Sequence, residues 1–166
     1  MTTTAIVIST EVGGIGINGR MPWLELYSAK DAYQELAKNN IVLVGRKSFD
    51  SHHHLRGEVT YVYSNNVDLE ESDSVKRVSG SADDIISMIK ETHPDKNIII
   101  AGGVNVFKAF WDHIDEWRVT IIKEFVVYEE DIDLTSIQYH WNDRRLLGEG
   151  VDNNQNFEIW HYRKKV

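Results

Sequence analysis

The chain has 166 residues, with 26 Asp and Glu against 18 Lys and Arg, and carries a formal charge of −8. So acidic a chain is a poor generic binder of nucleic acid or an anionic membrane, which require a basic face, while 42% hydrophobic and 27% charged residues is the balance of a folded globular protein. The lack of cysteine excludes disulfides, thiolate zinc sites and a cysteine nucleophile. No apolar run reaches the roughly 20 residues of a membrane span, and Met1 to Ala5 has no signal-peptide pattern, so the expectation is one cytoplasmic domain over 1–166.

Thr4 to Ser9 is a short apolar run rich in β-branched residues and reads as a buried strand. Gly13 to Pro22 holds four glycines and a proline and is expected to be loop throughout. Ser28 to Lys38 reads as a helix, because Ala29, Ala32, Tyr33, Leu36 and Ala37 follow a helical stripe. Asn39 and Asn40 stop it, and Ile41 to Val44 is a second buried strand. Val59 to Ser64 and Val75 to Val78 read as further strands. Ser81 is a candidate N-cap, with Asp83 and Asp84 in the first turn of a helix to about Glu91. Asn97 to Ala101 is a strand, Val104 to about His113 a helix, and Glu116 to Lys123 a strand. Tyr139 to Leu147 and Asn156 to Arg163 are expected to form an antiparallel hairpin with a long polar loop. Alternating strands and helices imply a largely parallel sheet in an α/β fold.

Gly14, Gly16 and Gly19 match the spacing of a dinucleotide fingerprint. That fingerprint must open a helix, and Pro22 follows too soon for one, so a flexible glycine loop is the better reading. Two other junctions suit phosphate better. Gly45-Arg-Lys-Ser48 follows one strand and opens a helix; free N–H groups there attract anions, and Arg46 and Lys47 add charge. Ile100-Ala-Gly-Gly103 follows another strand, where glycine allows close backbone approach. If the two strands are parallel neighbours, the junctions lie side by side at the carboxyl edge of the sheet, where open α/β sheets bind ligands.

Together these segments resemble the dihydrofolate reductase family. Gly14 to Trp23 is similar to its G-I-G-x-x-G-x-[LM]-P-W loop, Ile41 to Ser51 to its V-I-M-G-R-K-T-[FW]-E-S segment, and Ile98 to Phe107 to its I-G-G-x-x-[IV]-[YF] segment. Trp117 to Ile122 and Asn156 to Trp160 resemble two later strands, so the resemblance covers nearly the whole chain in order. It implies a three-layer fold with a mostly parallel eight-stranded central sheet, about four helices and a C-terminal antiparallel hairpin. It implies NADPH as hydride donor and 7,8-dihydrofolate as substrate, in a cytoplasmic monomer of one-carbon metabolism. Cofactor contacts would fall at Ile8, Ile15, Gly16, Asn18, Gly19, Gly45, Arg46, Lys47, Ser48, Ser64, Asn65, Gly102, Gly103, Val104, Asn105, Val106 and Phe107. Substrate contacts would fall at Ile6, Val7, Met21, Ala29, Tyr33, Ser51, Leu55, Arg56 and Ile100. The resemblance makes Trp23 and Thr120 catalytic candidates: Thr120 matches the family threonine that helps orient the acid and the pterin amino group through water, and Trp23 matches the family tryptophan.

The substrate half departs from the pattern. The family carries a carboxylate five or six residues after the tryptophan, where this chain has Ser28 and Ala29. Asp31 is the nearest acid, about 200° around a helix from Ala29, and is the candidate catalytic acid; Glu25 is a lesser one. Glu58 stands where the family has an arginine for the folate tail, with Arg56 two residues earlier as a substitute, and Ile8 replaces a small alanine. These departures leave two alternatives open: an NADPH reductase acting on another pterin or a pyrimidine, and a non-catalytic binding or structural descendant. His52, His53 and His54 do not have the spacing of metal ligands, and Glu129 to Asp133 lacks that of a calcium loop and reads as a solvated turn.

Overall fold

β-Branched runs such as Ile41 to Val44 and Ile98 to Ile100 form inner strands, and the amphipathic segment Ala82 to Thr92 forms a helix. A computed structural model describes every residue except 17–20, 22–24, 54, 125 and 166. Strands β1 (Thr3–Thr10), β3 (Ile41–Gly45), β4 (Val59–Tyr63), β5 (Val75–Val78), β6 (Ile98–Ile100), β7 (Glu116–Ile122), β9 (Asp143–Asp152) and β10 (Gln155–Arg163) form an eight-stranded sheet in the order β5-β4-β3-β6-β1-β7-β10-β9. Two short strands, β2 (Gly14–Gly16) and β8 (Glu130–Asp131), pair separately. The described residues include five α-helices: α1 (Tyr27–Ala37), α2 (Arg46–Ser51), α3 (Ala82–Thr92), α4 (Val104–Ala109) and α5 (Leu134–His140).

Contacts divide the chain into two compact units. The first holds residues 1–5 and 32–114. Here β4 pairs in parallel with β3 and β5, and β6 pairs in parallel with β3 and the start of β1. Ile41 to Val44 and Ile98 to Ile100 are buried along their whole length. That is why they read as unbroken apolar runs rather than alternating ones. Helix α3 starts where the sequence indicates: Ser81 Oγ accepts the Asp84 N–H at 3.1 Å, and Ile85, Ile86 and Ile89 form the buried stripe.

The second unit holds residues 6–31 and 115–166. β10 runs antiparallel to both β7 and β9. Trp117 and Trp141 are fully buried and meet edge to face, with ring centroids 5.8 Å apart. Such aromatic pairs add about 0.5–1.5 kcal/mol beyond their burial.

Several expectations need correction. Gly14–Gly16 is a strand rather than loop. Its pairing with Glu130–Asp131 uses backbone groups that glycine retains, supported by Glu129 N–H to Gly16 O at 2.6 Å and Ile132 N–H to Gly13 O at 2.9 Å. The expected solvated turn at 129–133 therefore contains the partner strand β8 and, in Asp133, the cap of α5. Asp133 accepts the Ser136 N–H and hydroxyl at 2.9 and 2.7 Å. The hairpin has no long loop. Asn153 and Asn154, with φ of 52° and 60°, join β9 and β10 directly, because asparagine tolerates the left-handed region that two-residue hairpin turns demand. Tyr139 and His140 belong to α5 rather than to that hairpin. The helix from Val104 ends at Ala109 and a 3₁₀ turn at Trp111–His113 follows. In α1, Ala29, Tyr33 and Ala37 are buried but Ala32 is exposed.

Candidate cofactor and substrate site

In the first unit, β3 and β6 are parallel neighbours paired through Leu43 and Ile100, so the two glycine junctions emerge together. The Gly45 N–H donates to Gly102 O at 2.7 Å. A Cβ on Gly45 would lie 3.0 Å from the Val106 side chain and 3.5 Å from Gly102 O, so any larger residue requires Val106 to shift. Gly102 sits at φ +95°, which glycine adopts without cost, and its peptide to Gly103 is cis. The Gly103 carbonyl accepts the Val106 and Phe107 N–H groups at 3.1 and 3.0 Å and so starts α4. A Cβ on Gly103 would lie 3.5 Å from Ser48 Oγ, which brings α2 to the same junction. Gly45 and Gly103, the N-caps of α2 and α4, have no side-chain hydrogen bond to the helix N–H groups. Val104 is half-buried, Asn105 exposed, and Val106 and Phe107 buried.

The cations at this junction are unequal. Lys47 is exposed and has no ion pair among the described residues. Arg46 has two: Nε to Asp50 Oδ2 at 3.1 Å and Nη1 to Asp68 Oδ1 at 2.8 Å. The Asp68 carboxylate, then Asp50, holds the guanidinium above arginine's ordinary value. Sequence reasoning missed both acids. The helical i, i+4 spacing could have given Asp50; no local signal gives Asp68. Past β4, Ser64 is half-buried and Asn65 exposed.

The segment after α2 answers the question posed by Glu58. Glu58 is exposed and pairs with Lys96 Nζ at 2.7 Å, which holds its carboxyl below the usual range. Arg56 turns back over α2. Its guanidinium carbon lies 3.8 Å from the Phe49 ring centroid, and its N–H groups donate to the carbonyls of Phe49 (2.9 Å), His52 (3.0 Å) and Leu55 (3.3 Å). Burial pushes this guanidinium below its ordinary value, with the Asp50 charge opposing. Arg56 is thus a part-buried cation oriented by neutral carbonyls, with no carboxylate ion pair among the described residues. Leu55 and Ile100 are buried and Ser51 is exposed. Burial, then the nearby Arg56 and His53 charges, pushes His52 down.

In the second unit, Ile6 and Val7 are buried on β1 and Ile8 is half-buried. Ile15 is half-buried and Gly16 buried on β2, and Met21 is half-buried. Thr120 is fully buried on β7, opposite Ile159. Asn18, Gly19 and Trp23 lie outside the described residues. At the start of α1, Ala29 is fully buried and Asp31 exposed. The Ser28 N–H donates to Asp152 Oδ2 at 2.6 Å, and Glu25, also exposed, pairs with Lys30 at 2.7 Å. The buried face of α1 continues with Tyr33.

A family model described as dihydrofolate reductase matches residues 2–164. The chain belongs to the dihydrofolate reductase family. The fold agrees: dihydrofolate reductase from Enterococcus faecalis, complexed with NADP(H) and RAB-propyl, matches with a TM-score of 0.70 at 21% identity, over 99% of this chain and 97% of that one. No curated protein matches the sequence. Within this family fold, the Gly45/Gly102 junction retains the close backbone approach that a dinucleotide needs, with a cation on α2 beside it. The residues therefore fit NADPH.

Proposed function

We propose that the chain reduces 7,8-dihydrofolate to 5,6,7,8-tetrahydrofolate with NADPH, as a cytoplasmic monomer with no nucleic-acid partner. The observation that carries this reading is the pair of glycine junctions on neighbouring strands, joined by the 2.7 Å Gly45–Gly102 hydrogen bond and flanked by Arg46, in a chain of this family. NADPH, when bound, supplies the hydride that the pterin accepts at C6.

Arg46, Lys47 and Ser48 hold the cofactor phosphates, and Gly102 and Gly103 offer backbone without side-chain obstruction. Val104 to Phe107 extend that cradle, and Ser64 and Asn65 flank the adenine ribose. Arg56 takes the anionic tail of the substrate in place of the arginine that Glu58 displaces. A guanidinium fixed by three carbonyls loses little further freedom on meeting a carboxylate. In the first unit, Tyr33, Leu55 and Ile100 supply apolar surface for the ring. Burial of Ala29 puts a group without a titratable proton at the expected acid position, and Asp31 faces solvent on α1. The proton for N5 therefore comes from water, with the buried Thr120 as an ordering group.

The test is loss of reduced-nicotinamide absorbance on adding dihydrofolate to folded protein that binds NADPH. A substrate-dependent rate supports the reading, and a background rate overturns it. Ala29 favours one second reading, reduction of another pterin or a pyrimidine that needs no protein acid. The same assay with those compounds separates the two.

A further inference from the structure

The cofactor junction carries an acid that its chemistry does not call for. Gly45 of β3 is in parallel register with Tyr63 of β4, so Arg46 and Ser64 leave the sheet side by side. Hydrogen bonds set the turn after Ser64. Ser64 N–H donates to Val78 O at 3.0 Å, and Arg77 Nη1 donates to Ser64 O at 3.0 Å. Ser64 Oγ accepts the Asn66 N–H at 3.1 Å, and Asn66 Oδ1 accepts the Asp68 N–H at 3.2 Å. This chain of turns delivers the Asp68 carboxylate to Arg46 Nη1 at 2.8 Å, while Asp50 holds Nε of the same guanidinium.

A nicotinamide dinucleotide with a phosphate on its adenine ribose is told from one without it by whether a cation or an acid meets that position. Here both are present and bound to each other. We propose that Asp68 is a specificity-determining residue: it competes with the ribose phosphate of NADPH for Arg46 and so narrows the preference for NADPH over NADH. The inference rests on the reading of Arg46 as a phosphate holder. NADPH must displace Asp68 from Nη1 and tolerate its negative charge nearby, whereas NADH leaves the Arg46–Asp68 pair intact. The discrimination that Arg46 would otherwise provide is partly spent.

The test is Asp68→Asn, which keeps size and removes charge, with dissociation constants measured by fluorescence titration for NADPH, NADH, 2′,5′-ADP and 5′-ADP. The expected result is a gain of about fivefold for NADPH and 2′,5′-ADP, with NADH and 5′-ADP unchanged or weaker. The gain shrinks at high salt. An unchanged NADPH-to-NADH ratio, or an equal gain for all four probes, overturns the role of Asp68. Failure of the unaltered chain to bind either 2′-phosphorylated probe instead overturns the phosphate-site reading, so the two failures are distinct.

Discussion

The ends of β3 and β6 and the start of α1 meet different demands. At the strand ends, recognition needs backbone that a ligand can approach and a cation beside it. Gly45, Gly102 and Gly103 supply the first, Arg46 and Lys47 the second. At α1, the family pattern would set one carboxyl group near the helix start, and on the proposed register that place falls to the buried Ala29. Function carried by main-chain N–H and C=O groups survives wide change in the surrounding side chains, since almost every residue brings the same groups. Function carried by a single side chain is lost in one substitution. On the proposed reading, the two regions show both outcomes in one chain.

The sharpest way to break this comparison is Arg46→Ala. If the strand-end site depends on its cation as well as its backbone, NADPH binding weakens by about 10- to 100-fold, as read by fluorescence titration. NADH binding changes much less. A loss under about twofold would mean that backbone alone holds the cofactor. Next in size is Arg56→Ala, expected to raise the KM for dihydrofolate about tenfold while leaving that for a tail-less pterin unchanged. The same variant loses three carbonyl hydrogen bonds and the stacking on Phe49. About 1–2 kcal/mol of stability goes with them. Arg56→Lys, which keeps the charge and loses the fork, separates the two effects by restoring part of the KM but not the stability.

How far the sequence could be read follows the same division. The run from Ile41 to Val44 is apolar at every position because both faces of β3 are buried, so its strand was legible, and Gly45 and Arg46 were placed with it. Ser81 announces α3 through a local rule of capping. Where a partner lies far along the chain, no local rule applies. Gly14–Gly16 becomes a strand only through residues 130–131, and Arg46 meets a carboxylate 22 residues away. Lys96, which neutralises Glu58, comes from the approach to β6. The Asn153–Asn154 turn was legible in principle and was misread as part of a longer loop, because asparagine signals both.

Acid sensitivity offers a smaller test on the Arg56 side. The folded His52 titrates below its ordinary value of 6.5, through burial first and then the charges of Arg56 and His53. As pH falls below about 6.5, the unfolded chain takes up this proton before the folded one does, so stability declines and levels off once the folded imidazole also protonates. The depressed carboxyls of Glu58 and Glu158 withdraw their contributions only at lower pH, as it falls through their folded values, below the ordinary Glu value of 4.5. A urea midpoint measured from pH 7 to 5 should therefore fall for the unaltered chain and stay flatter for His52→Gln. Equal slopes would mean that His52 is solvated beside Arg56.

The least effect is expected from Asp31→Asn, and that is its value. Asp31 lies two residues beyond Ala29, about 200° around the helix axis, and is exposed while Ala29 is fully buried. An exposed carboxylate on the face away from the buried Ala29 points to solvent rather than toward the ring, so steady-state turnover at neutral pH should change by less than about twofold. Turnover should also rise toward low pH in parallel for both proteins, because protonation from solvent follows solvent acidity whatever residue stands at 31. A tenfold or greater loss, or a pH profile that loses a limb in the variant, would place Asp31 in the reaction. The start of α1 would then meet its demand by turning a different face to the substrate, and the contrast with the strand ends would disappear.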